Sequence, residues 1–225
     1  MKPMTEQHLA LYRRHMVEII DMHFDLAGEE IGKEELDPGL RRALMDVPRH
    51  LFVPQSLMLM SYQDTPLPIG FDKTISQPII SALMIDLLAP EPHEVVLEIG
   101  TGTGYQTAIL AELVERVWSV EIVEELASLA EARLQQLGYP TVDIRVGDGS
   151  RGWAEHAPYD KILVAAAAEE PPPALLKQLK PGGRMVMPLG GIEAQQLTAI
   201  DIDEAGNTHT REVMPVRFSL LETVL

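Results

Sequence analysis

The sequence contains no cysteine and few basic residues, and both shortages restrict what the protein can be. Without cysteine there are no disulfides, no thiolate nucleophile and no sulfur-ligated metal site. Asp and Glu number 34 against 18 Lys and Arg, which gives a formal net charge of -16. Nonspecific binding to nucleic acid or to an anionic membrane needs a basic face, so this balance argues against both.

Long apolar segments are also missing. The longest apolar run, residues 78–90, is interrupted by Asp86 and is too short to span a membrane. Residues 1–7, M-K-P-M-T-E-Q, lack the apolar core of a signal peptide. We therefore expect a cytoplasmic protein that does not enter a membrane, and the lack of cysteine fits a reducing compartment.

The seven histidines are too scattered to suggest a metal site. They show neither the H-x-x-x-H nor the H-E-x-x-H spacing that would place two imidazoles on one helix face. Together with the missing cysteine, this spacing predicts that the protein binds no metal.

Residues 95–105, V-V-L-E-I-G-T-G-T-G-Y, form the stretch around which the chain is organised. An apolar run gives way to glycines at every second position and then to a helical pattern, which is the first half of a βαβ nucleotide-binding unit. A dinucleotide fingerprint would need a further glycine at position 105, where this chain has Tyr105. We therefore predict a mononucleoside ligand without a pyrophosphate, such as S-adenosylmethionine, with Glu98 meeting its amino group. The plain alternative is a turn that only connects a strand to a helix. The three glycines are Gly100, Gly102 and Gly104.

Two acids follow the next two predicted strands. Glu121 ends the strand at 117–122 about twenty residues beyond Gly100, where βαβ folds place the carboxylate that accepts from the two ribose hydroxyls. Asp148 follows the strand at 142–146 and can accept from an adenine amino group, while Gly149 lets the base lie close. The alternatives are that Glu121 is a solvated acid at the end of a strand, and that the tripeptide G-D-G is a plain turn.

Strands and helices alternate along most of the chain, which at 225 residues suits one α/β domain with a modest extension. This order predicts an α/β fold with a doubly wound, mostly parallel Rossmann-like sheet. An amphipathic helix in the first thirty residues is expected to cap the core. Further strands are predicted at 159–168, 184–189, 196–203 and 213–221, and helices at 40–47, 79–88, 105–113, 124–137 and 171–179.

Residues 62–78 contain too many prolines and glycines for a helix, yet they carry closely spaced hydroxyls and carboxylates. We expect an ordered loop that lies against the ligand. Pro78 suits the first turn of a helix, which makes Gln77 the predicted cap and leaves the Ser76 hydroxyl free of capping. The alternative is that Thr74 or Ser76 is simply the N-cap of that helix.

Several motifs together resemble the protein-L-isoaspartate O-methyltransferase family, over about residues 40–221. The most specific of them is T-I-S-Q-P, which lies ahead of the glycine loop; the loop itself is shared by many methyltransferases. The motifs are V-P-R-H-L-F-V-P (47–54), Y-Q-D-T-P-L-P-I-G (62–70), T-I-S-Q-P (74–78), V-L-E-I-G-T-G-T-G-Y (96–105), G-D-G followed by G-W (147–153) and V-R-F (216–218).

The resemblance implies an activity and assigns roles to residues. Members of the family transfer the methyl of S-adenosylmethionine to the α-carboxylate of L-isoaspartyl residues in damaged proteins. By resemblance, Ser76 is the active-site hydroxyl, Glu121 and Asp148 hold ribose and adenine, and the three glycines surround the methionine part of the cofactor. Thr74, Ile75, Val216 and Arg217 match segments that contact or close over the substrate.

The resemblance also sets expectations for organisation. We expect a single methyltransferase domain, with residues 1–60 as a helical N-terminal extension and 61–225 as the catalytic core. We expect the protein to be a monomer. Its expected partners are isoaspartyl-containing proteins or peptides.

The chain departs from the family pattern just ahead of T-I-S-Q-P. Asp72 and Lys73 stand where family members more often carry glycine and glutamine, so that Lys73 would attract an anionic substrate or Asp72 would repel it. A related enzyme that methylates a carboxylate of one partner peptide is therefore the alternative. Two other functions fit the residues less well. A module that binds the cofactor without turnover is disfavoured because Ser76 is intact. A nicotinamide oxidoreductase is disfavoured because the glycine spacing is not that of a dinucleotide site.

Overall fold

A seven-stranded sheet flanked by helices dominates residues 5–224, the part of the chain that this computed structural model describes. The helices are α1 (Glu6–Leu26), α2 (Gly28–Ile31), α3 (Pro38–Asp46), α4 (Pro78–Leu88), α5 (Tyr105–Ala111), α6 (Glu124–Leu137) and α7 (Pro173–Gln178). The strands are β1 (Leu67–Gly70), β2 (Lys73–Ile75), β3 (Val95–Ile99), β4 (Arg116–Glu121), β5 (Val142–Val146), β6 (Tyr159–Val164), β7 (Leu179–Gly190), β8 (Gln195–Ile202) and β9 (Thr208–Val216).

The strand order explains where a ligand can bind. The order is β5-β4-β3-β6-β7-β8-β9, with β3 to β7 parallel and β8 and β9 added antiparallel. The chain moves outward from β3 in one direction and then crosses back to β6 on its other side, so a crevice opens at the carboxyl ends of these strands. The predicted doubly wound, mostly parallel sheet is confirmed.

Helix α4 lies inside the protein, which accounts for its nearly continuous apolar sequence. All of its residues are buried except Ile80, which faces the cavity described below. Asp86, the acid that interrupts this apolar run, is itself buried and forms an ion pair with Lys33 at 2.8 Å. Its carboxylate also accepts the Asp37 backbone N–H at 2.9 Å, so the buried charge is both paired and hydrogen-bonded.

The long N-terminal helix α1 packs its apolar stripe onto the main core. Its buried side chains belong to the same apolar cluster as those of α4, α5 and part of β3. This stripe follows the helical period that the sequence predicted for the first thirty residues. The buried residues are Leu9, Met16, Val17, Ile20 and Phe24.

The sequence prediction was wrong for residues 62–78, which are not simply a loop. Strands β1 and β2 form an antiparallel hairpin within this segment. Its turn places Phe71 and Asp72 in the left-handed region, at φ of 55° and 54°. Two left-handed residues in succession are typical of a tight two-residue hairpin turn, which usually contains Asn-Gly or Gly, so this sequence gave no turn signal.

The last strand also ends earlier than predicted. Strand β9 stops at Val216, and the following residues leave the sheet and pass over the ends of β3 and β6. The Gln195 side chain holds this segment by exchanging two hydrogen bonds with the backbone of Phe218, at 3.0 and 2.6 Å. Ala167 exchanges two more with the backbone of Ser219 and Leu221, at 2.9 and 2.7 Å. We call residues 217–224 the C-terminal segment.

Candidate active site

A cavity of about 600 Å³ opens at the carboxyl ends of β3, β4 and β6. This volume is within the range of small-molecule sites, and the position is the switch point of the strand order. Its walls come from stretches far apart in sequence, mainly within 66–81, 99–106, 120–126 and 214–222, with Gly149, Ala165 and Ala166 between them. The cavity therefore brings together the hairpin, the glycine loop and the C-terminal segment.

The glycine loop forms one wall because its backbone turns through left-handed conformations. Gly100, Gly102 and Gly104 have φ of 93°, 55° and 89°, a region that residues with a Cβ rarely adopt. A Cβ at Gly104 would also lie 3.1 Å from Leu134 Cδ1, since α6 packs against the loop. Gly100 and Gly102 line the cavity, whereas Gly104 faces α6.

Glu121 ends β4 on the cavity wall, and its carboxylate fixes the loop beside it. Oε2 accepts the Gly102 backbone N–H at 2.8 Å, and Oε1 accepts that of Val123 at 3.0 Å. Each carboxylate oxygen has a second lone pair, so both can still accept from hydroxyls of a ligand. Glu121 therefore lies where the sequence predicted a ribose-binding acid.

Two residues of the cavity wall have polar atoms that are buried without a hydrogen-bond partner in residues 5–224: Thr103 Oγ1 and Gln106 Nε2. The Tyr105 hydroxyl instead lies beside the Arg49 guanidinium, and burial raises the pKa of Tyr105 to about 12. Unpaired buried polar groups destabilise a protein, and their clustering here indicates that a polar ligand group completes them. These groups, the glycine loop and Glu121 fit an adenosyl amino acid such as S-adenosylmethionine.

Glu98 does not reach the cavity wall, contrary to the expectation that it meets the cofactor's amino group. Successive side chains of a strand point to opposite faces, and it is Ile99 that lines the cavity. Glu98 Oε2 accepts from the hydroxyls of Ser119 and Thr107, at 2.6 and 2.5 Å, while Oε1 is buried without a partner in the described part of the chain. Complete burial raises the pKa of Glu98 to about 7 despite these two hydrogen bonds. Its visible role is to tie β3 to β4 and α5.

Asp148 also lies behind the cavity wall. Its carboxylate accepts from the Ser150 backbone N–H at 2.9 Å, from the Ser150 hydroxyl at 2.6 Å and from the Val224 backbone N–H at 3.1 Å. Burial alone would raise the pKa of Asp148, but these hydrogen bonds lower it overall. Gly149 does line the cavity, and a Cβ there would lie 2.3 Å from Ile99 Cγ2, so no side chain fits.

The opposite wall contains the predicted substrate-side residues. Thr74, Ile75 and Ser76 line the cavity, and the Ser76 hydroxyl makes no hydrogen bond to any residue in 5–224. Gln77 is the N-cap of α4 as predicted, but the capping side chain is Asp64. The Asp64 carboxylate accepts from the Ile79 N–H at 3.2 Å and from Gln77 Nε2 at 2.8 Å.

Val216 and Arg217 line the cavity from the side of the C-terminal segment. Lys73 of the hairpin forms an ion pair with Glu222 of this segment. The charge of Lys73 is thus already balanced by the carboxylate of Glu222, which weakens the expectation that Lys73 attracts an anionic substrate. Asp72 is exposed at the tip of the hairpin turn.

Two charged residues next to the segment that carries Ser76, Arg49 and Asp64, were not predicted from the sequence. Arg49 is fully buried, and its guanidinium donates to the backbone carbonyls of Ser61 and Ser76 at 2.8 and 2.6 Å. The sequence does contain a sign of this burial: an arginine within the largely apolar residues 47–54, between prolines at positions 48 and 54. Such a residue is rarely buried unless it makes specific hydrogen bonds.

Neither a metal centre nor a membrane span is present in residues 5–224. No three His, Asp or Glu side chains come together as a possible metal site there. None of the helices in this range combines the length and apolarity needed to cross a bilayer.

Similar proteins were identified by sequence and by fold. The profile of the family described as Protein-L-isoaspartate(D-aspartate) O-methyltransferase (PCMT) matches residues 30–223. Protein-L-isoaspartate O-methyltransferase 1 of Polaromonas sp. (strain JS666 / ATCC BAA-500) is 51% identical over 219 residues, which cover 97% of this chain and 93% of that protein.

Two solved structures share the fold. A protein-L-isoaspartate O-methyltransferase structure has a TM-score of 0.78 at 26% identity, over 92% of this chain and 65% of that chain. A structure from Plasmodium falciparum, named as a beta-aspartate methyltransferase (PCMT) in complex with S-adenosyl-L-homocysteine, has a TM-score of 0.71 at 23% identity, over 83% of this chain and 91% of that chain. With a family profile that covers most of its length and a relative that is 51% identical across it, the chain belongs to the protein-L-isoaspartate(D-aspartate) O-methyltransferase family.

Proposed function

We propose that the protein transfers the methyl of S-adenosylmethionine to the α-carboxylate of L-isoaspartyl residues in damaged proteins and peptides. The ester then closes to a succinimide, whose hydrolysis returns part of the material to normal aspartate. One observation carries the proposal: Ser76, whose hydroxyl makes no hydrogen bond within residues 5–224, lines the same cavity as the glycine loop and Glu121. A methyl acceptor held at one wall would therefore meet a donor held at the other.

The residues on the donor side suit each part of the cofactor. Glu121 would accept from the ribose hydroxyls, and Gly149 would let the base lie close. Thr103 and Gln106 supply buried polar atoms for the amino-acid part. When bound, S-adenosylmethionine supplies an electrophilic methyl group on a positively charged sulfur.

The acceptor needs no general base. An α-carboxylate has an ordinary pKa of about 3.5, so it is ionised and nucleophilic at neutral pH. The protein must instead hold the carboxylate oxygen in line with the methyl carbon and the sulfur, and ideal orientation can contribute roughly 7 to 11 kcal/mol. Ser76 would donate a hydrogen bond that orients the carboxylate, without itself being methylated. Thr74, Ile75, Val216 and Arg217 would surround the substrate chain.

The test is methyl-ester formation, followed by mass, on two peptides that differ only in L-isoaspartate versus L-aspartate. The isoaspartyl peptide alone should gain the mass of a methyl group in the presence of S-adenosylmethionine. If neither peptide is methylated while S-adenosylhomocysteine still binds, the proposed substrate is wrong. The carboxylate of another peptide would then be the acceptor.

We also propose that the protein acts as a cytoplasmic monomer with a single domain. The shared apolar core of α1, α4 and α5 supports a domain in which residues 1–60 extend the catalytic core, 61–225. Leu11, Met22 and Leu26 are exposed on α1, but His15 and Glu18 lie between them on the same face, so no continuous apolar stripe remains. Light scattering in solution should give a mass close to 24.9 kDa, and a dimer mass would refute the monomer.

A further inference from the structure

The guanidinium of Arg49 lies between two walls of the cavity. On one side Nη2 donates to the backbone carbonyl of Ser76 at 2.6 Å. On the other side the guanidinium carbon lies 4.7 Å from the centre of the Tyr105 ring, within the range of a cation–π contact. Ser76 and Tyr105 both line the cavity, and they belong to the substrate side and the cofactor side respectively.

This contact is more than ordinary core packing, because it buries a positive charge without an ion pair. Arg49 is 0% exposed, and no carboxylate in residues 5–224 forms an ion pair with it. Its partners are the carbonyls of Ser61 and Ser76 and the side chain of Tyr105, none of which carries a full negative charge at neutral pH. Buried charges destabilise a fold unless they are paired, so a residue of this kind is better explained by the geometry it imposes than by stability.

The backbone position of Ser76 follows from the same contact. Arg49 holds the Ser76 carbonyl from the core side, and Ser76 itself lines the cavity. Asp64 holds the next residues by accepting from Gln77 and from the Ile79 N–H. Arg49 thus holds the carbonyl of Ser76, and Asp64 holds the residues that follow it, Gln77 and Ile79.

We propose that Arg49 is a positioning residue that sets the spacing between Ser76 on the substrate side and Tyr105 on the cofactor side. The proposal rests on the methyl transfer proposed above, which requires three atoms in line across the cavity. Arg49 touches neither reactant, and it acts by holding the two walls in register. A guanidinium is needed because its separate N–H groups donate to the carbonyls of Ser61 and Ser76 while its central carbon lies over the Tyr105 ring, whereas the lysine ammonium is a single compact charge.

Arg49→Lys tests the proposal, with Arg13→Lys as the matched control. Arg13 also donates to a backbone carbonyl, that of Met45 at 3.0 Å, but Met45 does not line the cavity, whereas Ser76 does. For the isoaspartyl peptide we expect kcat to fall about 10- to 100-fold in Arg49→Lys, as a displacement of about 1 Å would produce. S-adenosylhomocysteine should bind this variant within about threefold of wild type, and Arg13→Lys should keep its kcat within about twofold. A kcat in Arg49→Lys equal to that of wild type or of the control would overturn the proposal.

A second variant separates positioning from stability. Arg49→Met keeps most of the side-chain volume and removes the buried charge, and buried ionic groups are often replaced by apolar ones without loss of stability. Its kcat should fall at least as far as that of Arg49→Lys, at a temperature where both variants are fully folded by circular dichroism. If both variants keep the wild-type kcat at that temperature and lose activity only as they unfold at higher temperature, Arg49 is structural and the proposal is wrong.

A third measurement does not depend on the substrate. In hydrogen exchange of the ligand-free protein, the amides of residues 75–77, 79 and 80 should exchange faster in Arg49→Lys than in wild type or Arg13→Lys. Unchanged exchange in that segment would refute the positioning role even if no isoaspartyl peptide were methylated. Inactivity of the wild-type protein on both peptides would count against the proposed substrate alone.

Discussion

Lys73 of the hairpin forms an ion pair with Glu222 of the C-terminal segment, 149 residues further along the chain. Both residues line the cavity, so the pair joins two of its walls at the mouth. The side chains are 22% and 55% exposed, which places the pair in contact with solvent. Exposed ion pairs typically contribute about 0 to 1 kcal/mol and are screened by salt.

Removing this pair should therefore loosen the mouth without unfolding the protein. We expect Lys73→Ala to release S-adenosylhomocysteine up to about fivefold faster than wild type at low salt, which corresponds to about 1 kcal/mol. The difference should disappear at high salt, as stopped-flow dissociation would show. Lys177→Ala, the same charge change on exposed α7, is the control and should have no effect. A salt-independent increase would mean that the ion pair is not the cause.

Ser76→Ala removes the donor proposed to orient the substrate carboxylate. Hydrogen bonds to charged groups contribute about 1.5 to 3 kcal/mol, so kcat/KM for the isoaspartyl peptide should fall by about 10- to 150-fold. Calorimetric titration should find the same affinity for S-adenosylhomocysteine, because the hydroxyl faces the substrate side. An unchanged kcat/KM would remove Ser76 from the active site.

Glu121→Gln tests the predicted ribose contact. The amide has one acceptor oxygen where the carboxylate has two, so it cannot accept from both ribose hydroxyls while also holding the Gly102 and Val123 N–H groups. We expect the dissociation constant of S-adenosylhomocysteine to rise by roughly 10- to 100-fold, about 1.4 to 2.7 kcal/mol. Glu125→Gln, an exposed position on α6, serves as the control in the same calorimetric titration. Equal affinities in the two variants would contradict the role of Glu121.

Glu98→Gln should remove part of the pH dependence of stability. Burial raises the pKa of Glu98 from its ordinary 4.5 to about 7, so between these pH values the folded protein holds a proton that the unfolded chain releases. Wild-type stability should therefore decline as pH rises through this window, by about 3 kcal/mol in all. Urea unfolding at pH 5 and pH 8 should show this decline in wild type and a smaller one in the variant. Parallel declines would exclude Glu98 as the source.

The parts of the site that the sequence predicted are those carried by local motifs. Glycines at alternate positions after an apolar run located the loop, and the spacing to Glu121 located the acid on the neighbouring strand. Ser76 was assigned by the resemblance of T-I-S-Q-P to the family, and Pro78, which marks the start of α4, left the Ser76 hydroxyl free of capping. In each case the signal lies within about twenty residues and depends on backbone chemistry.

The parts that were missed depend on side-chain direction or on contacts between distant segments. Glu98 was placed on the correct strand, but the alternation of β3 brings its neighbour Ile99 to the cavity. Arg49 reaches Ser76 across 27 residues of sequence, and periodicity carries no information about such a contact. The hairpin was missed because Phe71 and Asp72 adopt left-handed conformations that usually indicate glycine or asparagine.

The wall formed by residues 214–222 has a consequence for synthesis of the protein. Chains are made from the N-terminus at about 5 to 20 residues per second, so the glycine loop emerges roughly 6 to 24 seconds before Glu222. During that time a nascent chain already has the loop and Glu121 but lacks one side of the cavity. The ability to modify other polypeptides therefore arises only after residues 214–222 have been made and β9 has paired with β8, well after the glycine loop has emerged.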